Sequence, residues 1–290
     1  MTDIMAEFHV GQITKGIGGF YTVSTTCGDV VCKARGLFRK QQIKPLPGDM
    51  VEIRLLPGGG GYMEKLLPRR NSFLRPPICN VDLLVILASA AKPKTEPYIL
   101  DKMLIMGASK GVDAVIAVNK CDLESGQDLI SIYRPSGIPI FQVSALTRDG
   151  LGEFSDILNG KFAVFAGSSG VGKSSLLNAL DPAPSRAVGE ISRKLGRGRH
   201  TTRQVELFSL PGGILAADTP GFASLDGIEK IPARDLAQCF PEFSPYAGQC
   251  RFSGCLHGKD LGCAVSEAAG RGDIHPVRYG NYLRMLSEAE

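Results

Sequence analysis

The sequence predicts a multidomain chain: a small all-β barrel, an α/β unit built on a mostly parallel sheet, and a mainly helical, metal-binding tail. Three observations predict it. Residues 1–67 hold short strand-like segments separated by Gly- and Pro-rich turns. From Val81, apolar runs alternate with amphipathic stretches. From about Pro232 the pattern becomes helical and cysteines accumulate. These shifts divide the chain into units at 1–67, 68–231 and 232–290.

In the first unit, strands are expected at 8–14, 20–25, 29–35, 50–55 and 62–67. Val51, Ile53 and Leu55 alternate with Glu52 and Arg54, the period of a half-buried strand. Five such strands with no convincing helix suggest a small closed barrel, of which the OB-fold is one option. The Pro- and Arg-rich stretch 68–77 reads as a linker. In the second unit, strands are expected at 81–89, 112–118, 138–143 and 162–166, with helices at 98–110, at 151–158 and from Lys173. Residues 204–210 and 213–217 flank Pro211-Gly212 as a hairpin. Alternating strands and helices imply a mostly parallel sheet.

Composition excludes several classes. Of 290 residues, 43% are hydrophobic and 21% charged, which rules out a mainly disordered chain. The longest apolar stretch, 83–91, is far short of the about 20 residues that a bilayer requires. The N-terminal stretch carries Asp3 and Glu7 and lacks an apolar core, so no secretory signal is expected. A cytoplasmic location follows, with the eight cysteines reduced and some of them ligating metal. Thirty-three basic residues against 29 acidic give only +4, so the distribution of charge matters more than its sum.

The chemistry begins at Gly167-Ser168-Ser169-Gly170-Val171-Gly172-Lys173-Ser174, followed by Ser175, which matches G-x-x-x-x-G-K-[ST] at each fixed position. It follows an expected strand and opens an expected helix, the context this phosphate loop requires. Glycines let backbone amides converge on phosphates, and the helix N-terminus adds a favourable dipole. Lys173 can reach the β- and γ-phosphates while the Ser174 hydroxyl ligates Mg²⁺.

Asn119-Lys120-Cys121-Asp122 follows the expected strand at 112–118 and resembles the N-K-x-D signature of GTPases. That resemblance implies that Asp122 accepts hydrogen bonds from guanine N1 and N2, that Asn119 holds the loop, and that the Lys120 stem covers the base. Ser144-Ala145, at the next strand end, matches the companion loop whose amide meets guanine O6. Asp218-Thr219-Pro220-Gly221 matches D-x-x-G, in which Asp218 holds Mg²⁺ through water and the Gly221 amide senses the γ-phosphate. Between them, residues 196–203 (GRGRHTTR) read as a switch loop, with Thr202 completing the magnesium shell by resemblance and Thr201 as the alternative.

The order of these motifs is informative. Asn119–Asp122 precede the phosphate loop, the reverse of an ordinary GTPase, which implies a circular permutation. Permuted order, a leading barrel and a trailing Cys/His cluster resemble the bacterial ribosome small subunit-dependent GTPase A family over nearly the whole chain. Supporting stretches are 198–202 (GRHTT), 240–243 (FPEF), 248–252 (GQCRF) and 262–265 (GCAV). The resemblance implies an OB-fold barrel, a circularly permuted P-loop GTPase domain and a zinc-binding domain. It implies GTP hydrolysis stimulated by the small ribosomal subunit during late maturation and contacts to its rRNA; a monomer is expected. Two alternatives stay open: a GTPase serving another regulatory partner, and an RNA-binding assembly protein with a structural nucleotide.

Phe222 stands where ordinary GTPases carry a water-positioning glutamine, and Phe cannot orient water by hydrogen bonding. His200 in the switch loop is the candidate for that work, beside Lys173 and Thr202. Cys250, Cys255, His257 and Cys263 form C-x4-C-x-H-x5-C, a donor set suited to one closed, structural zinc ion, with Gly254, Gly258 and Gly262 allowing the turns. Cys27, Cys32, Cys79, Cys121 and Cys239 read as buried apolar residues, and His9 and His275 as ordinary ones. Lys33, Arg35, Arg39, Lys40 and Lys44 cluster in the barrel; Arg186, Arg193, Lys194, Arg197, Arg199 and Arg203 cluster around the switch loop. Both groups suit RNA phosphates. Phe20, Tyr21 and Phe38 are candidate stacking residues. Residues 222–230 would tether the D-x-x-G strand to the cysteine-bearing tail, so the orientation of 232–290 is expected to differ between GTP and GDP states.

Overall fold

Alternation of apolar side chains at 51, 53 and 63 closes the first unit around its own core. A computed structural model describes residues 8–36, 38, 42–181, 205–218, 231–258 and 260–289. Strands β1 (Phe8–Ile17), β2 (Phe20–Thr25), β3 (Gly28–Ala34), β4 (Met50–Leu55) and β5 (Gly61–Leu66) form a closed barrel in the order β1-β2-β3-β5-β4. Ile13, Val23, Cys32, Val51, Ile53 and Met63 fill it. Five strands closed with one parallel pair, β3 with β5, make the OB arrangement.

Two expectations are corrected here. Phe38 is 5% exposed and packs into the barrel core, so it offers no face for stacking; Tyr21 packs against the same core, while Phe20 is 48% exposed. Cys27 is exposed, because it lies in the turn joining β2 to β3.

The stretch 68–77 is not a linker. Ser72–Phe73 (β6) pairs antiparallel with Ile78–Cys79 (β7), and Phe73, Ile78 and Cys79 are buried. Pro76 and Pro77 lie in the turn, and the flanking apolar side chains supply core. Beside this ladder the fully buried Asp49 accepts from Arg69 Nε and Nη2 at 2.6 and 2.8 Å, and from the Leu46 amide at 2.7 Å. Gly48, at φ +93°, brings the barrel so close to β7 that a β-carbon would stand 2.0 Å from the Cys79 carbonyl oxygen. Only glycine fits there.

The second unit is a six-stranded sheet with helices on both faces. In chain order it contains β8 (Leu83–Ser89), α1 (Pro97–Ala108), β9 (Asp113–Asn119), α2 (Gln127–Tyr133), β10 (Ile140–Gln142), α3 (Leu151–Leu158), β11 (Phe162–Gly167), α4 (Lys173–Leu180), β12 (Leu207–Leu210) and β13 (Ile214–Asp218). The spatial order is β10-β9-β8-β11-β13-β12, with every neighbour parallel except β12. All seven residues of β8 are buried. Leu84, Ile86 and Ala88 join one core layer with Leu100, Met103 and Leu104 of α1; Leu83, Val85 and Leu87 join the other with Phe154, Leu158, Leu176 and Leu177. Edge strand β12 touches the barrel, where Lys15 forms an antiparallel bridge with Glu206 and a 2.8 Å ion pair. A bulge between Ile13 and Lys15 marks that end of β1.

The C-terminal unit is mainly helical: α5 (Ala233–Leu236), α6 (Ser244–Ala247), α7 (Ala264–Arg271) and α8 (Pro276–Glu288). The His275 ring caps α8, accepting from the Val277 amide at 3.2 Å. Leu236, Phe240, Phe243, Val265, Tyr282 and Met285 share one core with Ile105 of α1, so this unit is docked on the sheet domain. Arg278 of α8 is 1% exposed and bonds both Glu242 oxygens, at 2.7 and 3.0 Å, and Asp101 of α1 at 2.5 Å. Removing one member of a buried ionic group strands the others without a partner. Arg278→Met should therefore cost about 3–5 kcal/mol and lower the melting point of the C-terminal unit by roughly 6–20 °C. Arg278→Lys should recover only part, since an ammonium cannot serve both carboxylates with a planar fork. A calorimetric scan of the Met variant that overlays the wild type would reject this. No helix among the described residues is long and apolar enough to cross a membrane.

Candidate nucleotide site and metal centre

The motif residues converge at one edge of the sheet. Gly167 ends β11, Asn119 ends β9, Asp218 ends β13, and Ser144 follows β10 closely. In sequence, β9 and β10 build outward on one side of β8 while β11 and β13 build on the other, so the order reverses between β8 and β11. Crevices beyond the carboxyl ends of strands at such a reversal are where α/β sheets take ligands. The phosphate loop leaves β11 there and enters α4 at Lys173.

Asn119 ties three loops together. Its buried side chain donates from Nδ2 to the Val171 carbonyl at 3.0 Å and accepts from the Ala145 amide at Oδ1, also at 3.0 Å. Gly172 is at φ +92°, and a β-carbon on it would stand 2.3 Å from that Nδ2, so the loop needs glycine where Asn119 crosses it. Lys120, itself at φ +67°, donates from Nζ to the Gly170 carbonyl at 2.8 Å and the Lys92 carbonyl at 3.0 Å. Ser144 Oγ donates to Asp122 Oδ1 at 2.7 Å, fixing an otherwise exposed carboxylate, and accepts from the Thr147 amide at 3.0 Å. Cys121 lies beneath, its amide donating to the Val143 carbonyl at 3.2 Å.

At the phosphate end, Lys173 Nζ is 2.8 Å from Asp218 Oδ1, with both side chains largely covered. Ser168 and Ser174 are half-buried, while Ser169 and Ser175 are exposed. His200, Thr201, Thr202 and the Thr219-Pro220-Gly221-Phe222 stretch lie outside the described residues, as does 222–230.

The second site forms in the C-terminal unit. The ligating atoms of Cys250, Cys255, His257 and Cys263 all lie within 4.8 Å of one another, a group that can hold one metal ion. His257 Nδ1 is 3.4 Å from Cys250 Sγ and 3.7 Å from Cys263 Sγ. The His257 and Ser266 amides donate to Cys255 and Cys263 sulfurs at 3.3 and 3.4 Å, the kind of support that favours thiolates. Burial lowers the His257 pKa, which favours the neutral ring that a metal needs. Burial also pushes the Cys263 thiol up to about 11, so a cation must offset that cost before it ionises. Gly254 and Gly262 adopt left-handed turns; Gly258 does not, and His257 itself stands at φ +57°.

Comparison with known proteins agrees with this geometry. The RsgA GTPase family model matches residues 66–228, and the RsgA N-terminal domain model matches 10–63. The chain belongs to the RsgA GTPase family. The small ribosomal subunit biogenesis GTPase RsgA of Caldanaerobacter subterraneus is 42% identical over 97% of this chain and 95% of its own length. That of Geobacillus thermodenitrificans is 43% identical over 98% and 97%. Among solved structures, YjeQ from Thermotoga maritima superposes with a TM-score of 0.84 at 35% identity, covering 97% of this chain and 98% of that one. YloQ, described as a circularly permuted GTPase, gives 0.82 at 32% identity, covering 99% and 97%. The shared permutation accounts for a sheet in which the Asn119 loop precedes the phosphate loop in sequence yet adjoins it in space.

Sequence reading missed the Ala90–Glu96 loop of this family member. Lys92 contributes a backbone carbonyl, and Pro93 lies against the phosphate loop so closely that a β-carbon on Gly170 would stand 3.2 Å from it. No side-chain signature marks such a role. On the barrel, Lys33 Nζ lies 5.0 Å from the Phe20 ring centre, and Lys44 is exposed. Arg35, its side chain 47% exposed, pairs with Glu64 at 2.5 Å. Arg39, Lys40 and the basic cluster at Arg186, Arg193, Lys194, Arg197, Arg199 and Arg203 lie outside the described residues.

Proposed function

We propose that this chain hydrolyses GTP during late maturation of the small ribosomal subunit, binds the subunit's rRNA, and is stimulated by it. The relatives' names supply the subunit. The observation that carries the nucleotide reading is the bridge by Asn119 between Val171 and Ala145, which makes the base-reading loops and the phosphate loop one site. Asp122 reads guanine, Lys120 covers it, and the Ser144-Ala145 loop meets its carbonyl. The amides of 167–175 cradle the phosphates, and Lys173 leaves Asp218 for the β- and γ-oxygens.

Ser174, Thr202 and Asp218 are hard oxygen donors of the kind magnesium takes, and two of them lie beside Lys173. Magnesium bound with GTP would neutralise charge on the phosphate oxygens. His200 orients the attacking water in place of the missing glutamine. Three thiolates and one imidazole with no carboxylate among them suit a structural zinc. The protein works in the cytoplasm as a monomer.

Turnover measured with and without purified small subunits tests the reading, and a rate indifferent to subunits would overturn the ribosomal part. His200→Ala should still bind GTP and the subunit but hydrolyse about 10²–10⁴-fold more slowly, the usual worth of a positioned acid–base group. Wild-type turnover of that variant with subunits present would remove His200 from the mechanism.

A further inference from the structure

Two helices bracket the Asn119–Asp122 loop: α1 precedes β9, and α2 follows the loop. One side chain of the C-terminal helix holds both. Arg278 Nη1 bonds Asp101 of α1, and its guanidinium lies 5.3 Å from the ring centre of Tyr133, the last residue of α2. The Tyr133 hydroxyl is 2.8 Å from Asp101 Oδ1 and 2.9 Å from the Pro97 carbonyl, where α1 begins. Asn281 Nδ2 donates to the other Asp101 oxygen at 2.5 Å.

That same end of α1 grows out of the loop that walls the nucleotide site. Thr95 Oγ1 accepts from the Ser89 amide at 2.8 Å, and the Ala90 amide donates to the Asn119 carbonyl at 2.9 Å. Lys92 and Pro93 in the same loop reach Lys120 and Gly170. A displacement of α8 therefore acts on the base-reading loop from both sides, through α1 with its preceding loop and through α2.

We propose that the C-terminal helix is a latch on nucleotide release: the Arg278–Asp101–Tyr133 cluster holds α1 and α2 together and keeps the base-reading side closed. Displacement of α8 opens that side and speeds GDP departure. This rests on the reading that guanine occupies the Asp122 side. It is independent of the tether at 222–230, which would act at the phosphate side. The residues act through α1 and α2 and are positioning residues.

The test uses the full chain with fluorescently labelled GDP, following dissociation by stopped flow in the wild type, Tyr133→Phe and Asn281→Ala. Each substitution removes about one hydrogen bond, so release should quicken about 2–10-fold, while single-turnover hydrolysis of bound GTP changes by less than about twofold. Val265→Ala is the control: it trims the C-terminal core, where Val265 is fully buried, without touching the polar cluster. Unchanged release in both latch variants overturns the proposal, and so does an equal acceleration in Val265→Ala, which would show general loosening. A wild type that fails to bind GDP removes the base-site reading itself. Wild-type binding with unmoved release rates removes only the latch.

Discussion

Asp122→Asn should weaken GTP binding by about 10²–10³-fold, the loss of one or two hydrogen bonds to a charged group. A carboxylate offers only acceptors, which match the two N–H donors on the guanine edge; asparagine turns an NH₂ toward a donor and leaves it unpaired. Ser144 already holds Asp122 Oδ1 at 2.7 Å, and an asparagine oxygen can accept the same bond, so the loop should keep its shape. The deficit should then be specific to the base. Xanthosine triphosphate, which carries an oxygen where guanine has its exocyclic amine, should bind the variant better than GTP. Calorimetric titration with a non-hydrolysable GTP analogue checks this, and equal affinity in variant and wild type would defeat the assignment.

Removing the metal should have the other large effect. Between Ala247 and Ala264 the chain has no helix or strand among its described residues; its ties there include the Arg251 amide to the Gly262 carbonyl at 2.9 Å and the Cys263 amide to Asp260 at 3.2 Å, and the Tyr279 and Tyr282 hydroxyls of α8 donate to the carbonyls of His257, Gly258 and Leu256. Ligation would supply the missing order, and structural zinc contributes apparent binding free energies of about 10–16 kcal/mol that count directly as folding energy. Elemental analysis should find about one zinc per chain, and Cys255→Ser should lose it. The change should be graded along the chain: segment 248–263 loses protection from hydrogen exchange, while α8 keeps part of its own through Arg278 and the Ile105 contact. Metal-free protein with an unchanged melting curve would reject a structural metal.

Local signals were legible where a short-range rule governs them. The expected bounds of β2, β4 and α3 agree with the structure to the residue, because Gly and Pro punctuate them and each has one face to bury. The phosphate loop and the Asn119 loop were legible because their chemistry constrains each residue in turn. Helix α2 was not: its seven residues include Ile130 and Ile132 and no N-terminal side-chain cap, so neither propensity nor capping marks it. Phe38 was misread because Arg35, Arg39 and Lys40 surround it in sequence, while the barrel core it joins is assembled from distant strands. The Arg278 cluster joins residues 32 to 180 positions apart, which no periodicity reports.

Strand β8 has a further consequence, one of timing. It is central, it is buried along its whole length, and its two neighbours are β9 and β11. On the ribosome β9 follows it within one helical crossover, but β11 ends only at Gly167, after two more helices and another strand. At elongation rates of about 5–20 residues per second, β8 waits roughly 4–16 s for its second neighbour. Over that interval the nascent chain carries an unpaired strand edge that is apolar but for Ser89, the feature most prone to mispairing and to capture by holdases. In the unpermuted order the phosphate-loop strand would have been made first, ready to receive β8 as it emerged.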